Sequence, residues 1–190
     1  MANAEAVTSS PGKGGWKPGD RVADLHSMLR VDHAGEYGAT RIYAGQLAVF
    51  GNNHPTARPI AQMAAQEARH LSTFDRMLAQ RGVRPTALQP IWHVAGHALG
   101  AATALISPKA AMACTAAVED EIDAHYGAQR RQLADTDKPL SDVIEEFQAE
   151  ELEHRDLALA HGAEETVGYP ILYAAIRAGC RAAIYLSKRI

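Results

Sequence analysis

Between Glu150 and Asp156 the chain reads EELEHRD, with three glutamates and one histidine inside five consecutive residues. A charge cluster of this kind on a helix usually faces water. Helical phase divides this one in two. Glu151 and His154 are three apart, so both project from one side of a helix. They continue an apolar stripe, Ile144, Phe147, Glu151, His154, Ala158. Glu150 and Glu153 line up instead with Asp142 and Glu146 on an acidic stripe, which reads as the solvated side. Replacing Glu150 is therefore expected to leave the inward pair undisturbed.

The same spacing occurs earlier in the chain in QEARH, Gln66 to His70, where Glu67 and His70 share a face with Met63, Phe74 and Met77. One E-x-x-H pair arises by chance in any charged helix. Two of them, each on the second helix of a hairpin, match the carboxylate-rich di-metal pattern of ferritin-like bundles. That pattern also needs one glutamate from the first helix of each hairpin. Glu36, in VDHAGEYGATRIY, interrupts the heptad-spaced stripe Leu29, Tyr43, Phe50. On the third bundle helix the candidate is Glu119, in CTAAVEDEIDAHY, on a stripe with Met112, Thr115, Ile122 and Tyr126. Glu121 competes there, and phase favours Glu119 only modestly. The interval from Glu36 to Glu67 nearly equals that from Glu119 to Glu151, so the hairpins are near copies in the placement of these groups. Four carboxylates converging in a core stay protonated or repel one another unless cations neutralise them. Two metals would balance them, with two neutral imidazoles completing the donor set. Oxygen-rich ligation suits iron or manganese better than zinc.

The rest of the chain supports a helical bundle. Strand signals are nearly absent, and segments rich in Ala, Leu, Glu, Gln and Arg break at Gly and Pro. Helices are predicted over about 20–50, 55–81, 107–133, 139–161 and 170–188. Ser107 is the natural N-cap of the third, with Pro108 at its first position. Short links join helices one and two, and three and four, as antiparallel hairpins. Between the hairpins lies a long connection, Val83 to Ser107, which includes the apolar PIWHVAGHALGAATALI. The predicted fold is all-α: a ferritin-like four-helix bundle with a long, partly helical crossover between helices two and three, and an added C-terminal helix.

Composition narrows the function classes. The 190 residues are 47% apolar with a net charge of −3, which offers no basic field for nucleic acid. Cys114 and Cys180 stand far apart in Ala-rich stretches, as buried reduced thiols do. Residues 1–20 are rich in Gly, Pro and Ser and read as a flexible tail before a domain over 21–190. They lack a secretory core and the Arg-rich pattern of a transit peptide, so peripheral association with the cytoplasmic face of a bacterial inner membrane is expected over a mitochondrial location. No run of about 20 apolar residues crosses a bilayer. Among the remaining polar groups, His33, His125 and Tyr126 lie close in sequence to the ligand candidates and suit supporting or proton-transfer roles. His93 and His97 read as structural or substrate-facing, and His26, His54 and His161 as surface or helix-end residues.

With those residues in place, LRVDHAGEYGATRIYAGQLAVF (29–50), KAAMACTAAVEDEIDAHY (109–126), EELEHRD (150–156) and AGCRAAIYLSKRI (178–190) resemble the demethoxyubiquinone hydroxylase family of ubiquinone biosynthesis. The likeness covers about Leu25 to Ile190. It implies iron ligands at Glu36, Glu67, His70, Glu119, Glu151 and His154, choosing Glu119 over Glu121. It implies a di-iron monooxygenase that uses O2 to hydroxylate the ring of a demethoxyubiquinol, with NADH as a reductant. No G-x-G-x-x-G pattern offers a dinucleotide fold. An accessory lipid-binding protein of ubiquinone biosynthesis is a further partner the resemblance admits.

A polyprenyl quinol lives in the bilayer, which gives two oily segments a purpose. Peripheral contact is expected through residues of about 90–106 and 170–190. Leu172, Ile176, Cys180, Ala183 and Ile190 form an apolar face, Arg177, Arg181 and Lys188 a basic one. Gly96 and Gly100 permit close helix contact, and Trp92 is placed as an interfacial anchor. The competing readings are a ferroxidase, a peroxide reductase, a tRNA hydroxylase, or a non-catalytic protein that binds and presents quinone lipid. Storage fits the oily segments poorly, and the net charge gives tRNA little to hold.

Overall fold

The computed structural model describes residues 25–133 and 137–190. Its elements are α1 (Leu25–Phe50), α2 (Ala57–Arg81), α3 (Gln89–Ile106), α4 (Pro108–Leu133), α5 (Lys138–Ala160), a 3-10 turn (Ala163–Glu165) and α6 (Tyr169–Ser187). No strand occurs among the described residues. The tail expected over 1–20 lies outside them.

The helix ends follow local chemistry. Gly82 takes a left-handed conformation (φ 62°) and donates to the Ala79 carbonyl, while Val83 N–H reaches Leu78 O at 2.9 Å. Together these bonds close α2 in a Schellman motif. Ser107 Oγ accepts from Ala110 N–H at 3.0 Å and Asp137 accepts from Leu140 N–H at 3.1 Å, opening α4 and α5. Asp137 also receives both arms of the Arg81 guanidinium, which ties the end of α2 to the start of α5. That pairing with Arg81 holds the Asp137 carboxyl below its ordinary range.

α1, α2, α4 and α5 are the four bundle helices, paired as two hairpins, α1 with α2 and α4 with α5. Of three apolar clusters, one (Ile42, Cys114, Val118 and Ile176) lies where α6 meets the bundle, and two fill the bundle's middle. One gathers Leu29, Phe74, Tyr126 and Phe147; the other gathers Tyr43, Met63, Met112, Ala116 and Ala158. Every bundle helix contributes to both clusters and carries its ligand candidates in the stretch between.

The crossover is more regular than a partly helical connector, since the 18 residues of α3 take up most of it. It lies on α1 with almost nothing between the backbones. A Cβ at Gly100 would stand 1.9 Å from Ile42 O, and one at Gly45 would stand 2.1 Å from His97 O. The glycine spacing therefore serves a contact inside the chain. α6 packs on α4 and α1. Trp92, expected as an interfacial anchor, is half-buried, and its indole N–H donates to Ser187 Oγ of α6 at 3.0 Å. Indole burial and that hydrogen bond pin α3 to α6.

The α1–α3 contact has a test built from one type of change. Gly100→Ala must push two backbones apart and is expected to cost about 2–3 kcal/mol. Gly35→Ala removes a glycine from α1 where a Cβ meets nothing within 4 Å, and is expected to stabilise by roughly 1 kcal/mol. Thermal unfolding should show opposite shifts, of about 2–4 °C per kcal/mol for a chain of this size. Shifts of the same sign would remove the close-packing account.

Candidate metal centre

The six residues singled out from spacing come together at the middle of the bundle, all of them buried. They form two overlapping sets that could each hold an ion: Glu36, Glu67, His70 and Glu151, and Glu67, Glu119, Glu151 and His154. Within each set one donor atom per residue lies within 4.8 Å of the others. Glu67 and Glu151 belong to both sets, so each could serve two ions at once. His70 Nδ1 stands 3.3 Å from Glu36 Oε2 and 3.1 Å from Glu151 Oε1. His154 Nδ1 stands 3.1 Å from Glu67 Oε1 and 3.3 Å from Glu151 Oε2.

What each residue does with its outer atom is as informative. Tyr126 OH donates to Glu36 Oε1, and Tyr43 OH donates to Glu119 Oε1 at 2.6 Å. Each tyrosine lies two helical turns after the glutamate of its own helix and serves the glutamate of the other. His70 Nε2 meets Glu150 Oε2 at 2.7 Å, and His154 Nε2 meets Gln66 Oε1 at 3.0 Å. Both contacts make Nε2–H the donor and turn Nδ1 inward, free to ligate once it carries no proton. Eight inward atoms then have no hydrogen-bond partner among the described residues. They are Glu36 Oε2, both oxygens of Glu67, His70 Nδ1, Glu119 Oε2, both oxygens of Glu151 and His154 Nδ1. Buried polar atoms are rarely left so. Eight of them converging could serve as the donor set of a dinuclear site, and four carboxylates with two imidazoles would suit two divalent ions of the iron or manganese type.

Without a cation the cluster accommodates its charge by protonation. Burial, with repulsion from Glu151, pushes Glu67 and Glu119 well above the usual carboxylate range, and burial raises Glu36. Burial acts on Glu151 in the same sense, but the facing imidazoles of His154 and His70 outweigh it and bring its pKa to about 2. Burial opposes charge on His70, yet the facing Glu151 and Glu36 carboxylates lift it to about 10. Burial raises Tyr43 and Tyr126 well above 10, which keeps both phenols protonated as donors.

Several sequence expectations are corrected or sharpened. Glu121 turns from the cluster toward α6, where its Oε1 accepts from Arg177 Nε at 2.5 Å and Arg181 Nη1 at 2.7 Å. The candidate from α4 is therefore Glu119. Arg177 and Arg181, expected to face headgroups, spend their charge on that buried carboxylate. Glu153 is exposed as expected, whereas Glu150 is half-buried on His70 and Arg69. Helical phase put it on the wet stripe; the length of its side chain brings it back. Tyr126 does touch a ligand candidate. His125 instead meets buried Asp32 at 3.3 Å, and Gln129 bridges the pair. His33 Nε2–H donates to Asp75 Oδ1 at 2.9 Å. His93 and His97 pair with Tyr37 and Arg41 on the α1–α3 face, while His26 and His161 are exposed and His54 stacks on Phe50.

Behind α1 lies a cavity of about 550 Å³ bounded by α1, α3, α4 and α6. Its walls include Val31, Gly35 and Gly38 beside Glu36, with Leu99, Ile122 and Ile176 opposite. Spacing along the sequence gives no sign of it, because it forms only when α3 and α6 close over glycines of α1.

Comparison with known proteins agrees with this architecture. The chain is 51% identical over 175 residues to the 3-demethoxyubiquinol 3-hydroxylase of Rhodospirillum rubrum, covering 91% of this chain and 82% of that protein. It is 51% identical to the rat protein named NADPH-dependent 3-demethoxyubiquinone 3-hydroxylase, mitochondrial (88% of this chain, 78% of that one). The human protein of that name is 49% identical, covering 88% and 79%. The family described as ubiquinone biosynthesis protein COQ7 matches residues 23–187. The chain belongs to the COQ7 family.

Proposed function

We propose that this protein is a monooxygenase that hydroxylates the ring of a demethoxyubiquinol in ubiquinone biosynthesis, at a di-iron centre held by Glu36, Glu67, His70, Glu119, Glu151 and His154. The observation that carries the reading is the convergence of eight unpartnered donor atoms one helix away from an apolar cavity. Iron bound there would supply the reduction of O2, with one oxygen atom entering a ring C–H and the other leaving as water after uptake of two electrons and two protons. The activity is assigned to a single domain over 21–190.

The chain's own residues do the positioning. Tyr43 and Tyr126 each hold one carboxylate oxygen and leave the other for metal. The two imidazoles are fixed as Nδ1 ligands by Glu150 and Gln66. The cavity offers a polyprenyl quinol an apolar slot whose α1 wall adjoins Glu36. A nicotinamide dinucleotide is proposed as reductant. NADH was the expectation, and the mammalian relatives carry NADPH in their names. The test is anaerobic reduction by NADPH or NADH with a demethoxyubiquinol present, then an O2 pulse with the product read by mass. Glu151→Ala is expected to lose iron loading and turnover together. Gly38→Leu, which fills cavity space, is expected to raise KM about tenfold while iron content stays whole. Normal quinone synthesis by the Glu151→Ala protein would overturn the hydroxylase in favour of a lipid-presenting role.

The same reading places the protein at a membrane surface. Among the described residues no helix is long and apolar enough to cross a bilayer. The outer sides of α3 and of the α6 segment nevertheless expose Val94, Leu105, Ile106, Val167 and Ile171, each more than half accessible. These support peripheral docking through apolar area. Co-flotation with phospholipid vesicles is expected for the parent and lost in Val94→Glu/Ile171→Glu. Equal flotation of both would count against docking through these helices.

Metal and pH are linked with a definite sign. Glu36, Glu67 and Glu119 have raised values, so above about pH 4.5 the folded metal-free chain binds more protons than the unfolded one. Their stabilisation is complete below that pH and is lost as pH rises. His70 acts in the same direction, contributing fully below 6.5 and losing its contribution toward about 10. Glu151 contributes above 4.5 and loses its effect only as pH falls toward about 2. Metal-free protein should therefore melt lower at pH 8 than at pH 6. Metal displaces the protons, so the rise in Tm on adding Fe(II) anaerobically should be larger at pH 8. A larger rise at pH 6 would contradict the charge assignment.

A further inference from the structure

The two halves of the cluster match in the contacts that hold their outer atoms, with one chemical exception. Tyr126 of α4 serves Glu36 of α1, and Tyr43 of α1 serves Glu119 of α4. Likewise the residue just before each shared glutamate reaches across to the histidine of the opposite helix. Gln66, before Glu67 on α2, accepts from His154 of α5; Glu150, before Glu151 on α5, accepts from His70 of α2. An amide stands in one place and a carboxylate in the other.

The carboxylate is built in. Its Oε2 faces His70 and its Oε1 takes Arg69, whose guanidinium lies 5.2 Å from the centre of the Phe147 ring. His70 stacks on the same ring with centroids 3.9 Å apart. Arg69, Glu150, His70 and Phe147 thus form one packed unit, in which Glu150 is held by a cation on one oxygen and an imidazole on the other. A carboxylate accepting from the far N–H of an imidazole increases electron donation at the ligating nitrogen more than a neutral amide does.

We infer that Glu150 is a positioning residue that makes the two metal positions unequal: the ion held by Glu36 and His70 binds more tightly than the ion held by Glu119 and His154. The inference rests on the di-iron reading above. It goes beyond that reading in assigning an order to the two sites and in giving Glu150, outside the six ligands, the role that sets it.

The experiment is anaerobic titration of the metal-free full chain with Fe(II) against a colour-forming chelator, with Mössbauer spectra of the 57Fe(II)-loaded protein. The parent should take up two ions in separated steps and show two ferrous environments. Glu150→Gln keeps an acceptor for His70 but removes the charge, so the tighter step is expected to weaken by about tenfold or more while the other stays unchanged. Gln66→Glu, which leaves the Arg69–Glu150 pair intact, should tighten the weaker step. The reciprocal double variant Gln66→Glu/Glu150→Gln should show two separated steps again, a recovery that a packing role for Glu150 does not give. Unchanged affinities and spectra in Glu150→Gln, or a double variant weaker than either single one, would overturn the inference while leaving the di-iron centre standing. A parent chain that takes up no Fe(II) would remove both.

Discussion

Four carboxylates cannot sit at the centre of a helical bundle on the terms that govern the rest of its core. Every apolar side chain around them gains by excluding water, and the exclusion raises the cost of charge on Glu36, Glu67, Glu119 and Glu151. The conflict is met by geometry. The glutamates face one another across the hairpins, so protons or cations can be shared among them. Phenols take up the outer oxygens of Glu36 and Glu119, Glu150 and Gln66 the outer nitrogens of the imidazoles, and apolar clusters seal both ends. The antiparallel pairing of the hairpins, the matched spacing within them and the tie between Arg81 and Asp137 all keep four helices in register around that centre.

Much of this was legible in the sequence because helical phase is a strict code for buried positions. Met63, Phe74, Ile144, Phe147 and Ala158 announce which side of α2 and α5 is inward, and the two E-x-x-H pairs fall on it. Phase was weakest where two carboxylates are only two residues apart. Glu119 and Glu121 are both buried, and what separates them is the arrival of α6 with Arg177 and Arg181. That is a tertiary fact that no period within α4 contains. Glu150 escaped for a related reason: phase locates a Cα, while a glutamate carries its oxygens far enough to cross from one stripe to the next helix. The cavity escaped because it is defined by atoms that are missing, the side chains of Gly35 and Gly38, seen against helices remote in the chain.

The crossover shows how a single element can serve both core and surface. Its inner side meets α1 through glycines, backbone to backbone, while its outer side exposes Val94, Leu105 and Ile106. α1 is consequently a shared wall, with ligand candidates on one side and a cavity on the other. The assignment of a bilayer-derived substrate and of a metal centre to the same molecule meets at this helix, whose glycines let α3 approach and leave room beside Glu36.

The two tyrosines have a mechanical consequence. By occupying Oε1 of Glu36 and of Glu119, Tyr126 and Tyr43 commit each of those carboxylates to offering one oxygen from a fixed orientation. Glu67 and Glu151 carry no such tether on either oxygen. With two ions bound there, Glu36 and Glu119 would therefore be the stiff members. Glu67 and Glu151, which belong to both candidate sets, would be the compliant ones, free to swing as far as their side chains reach.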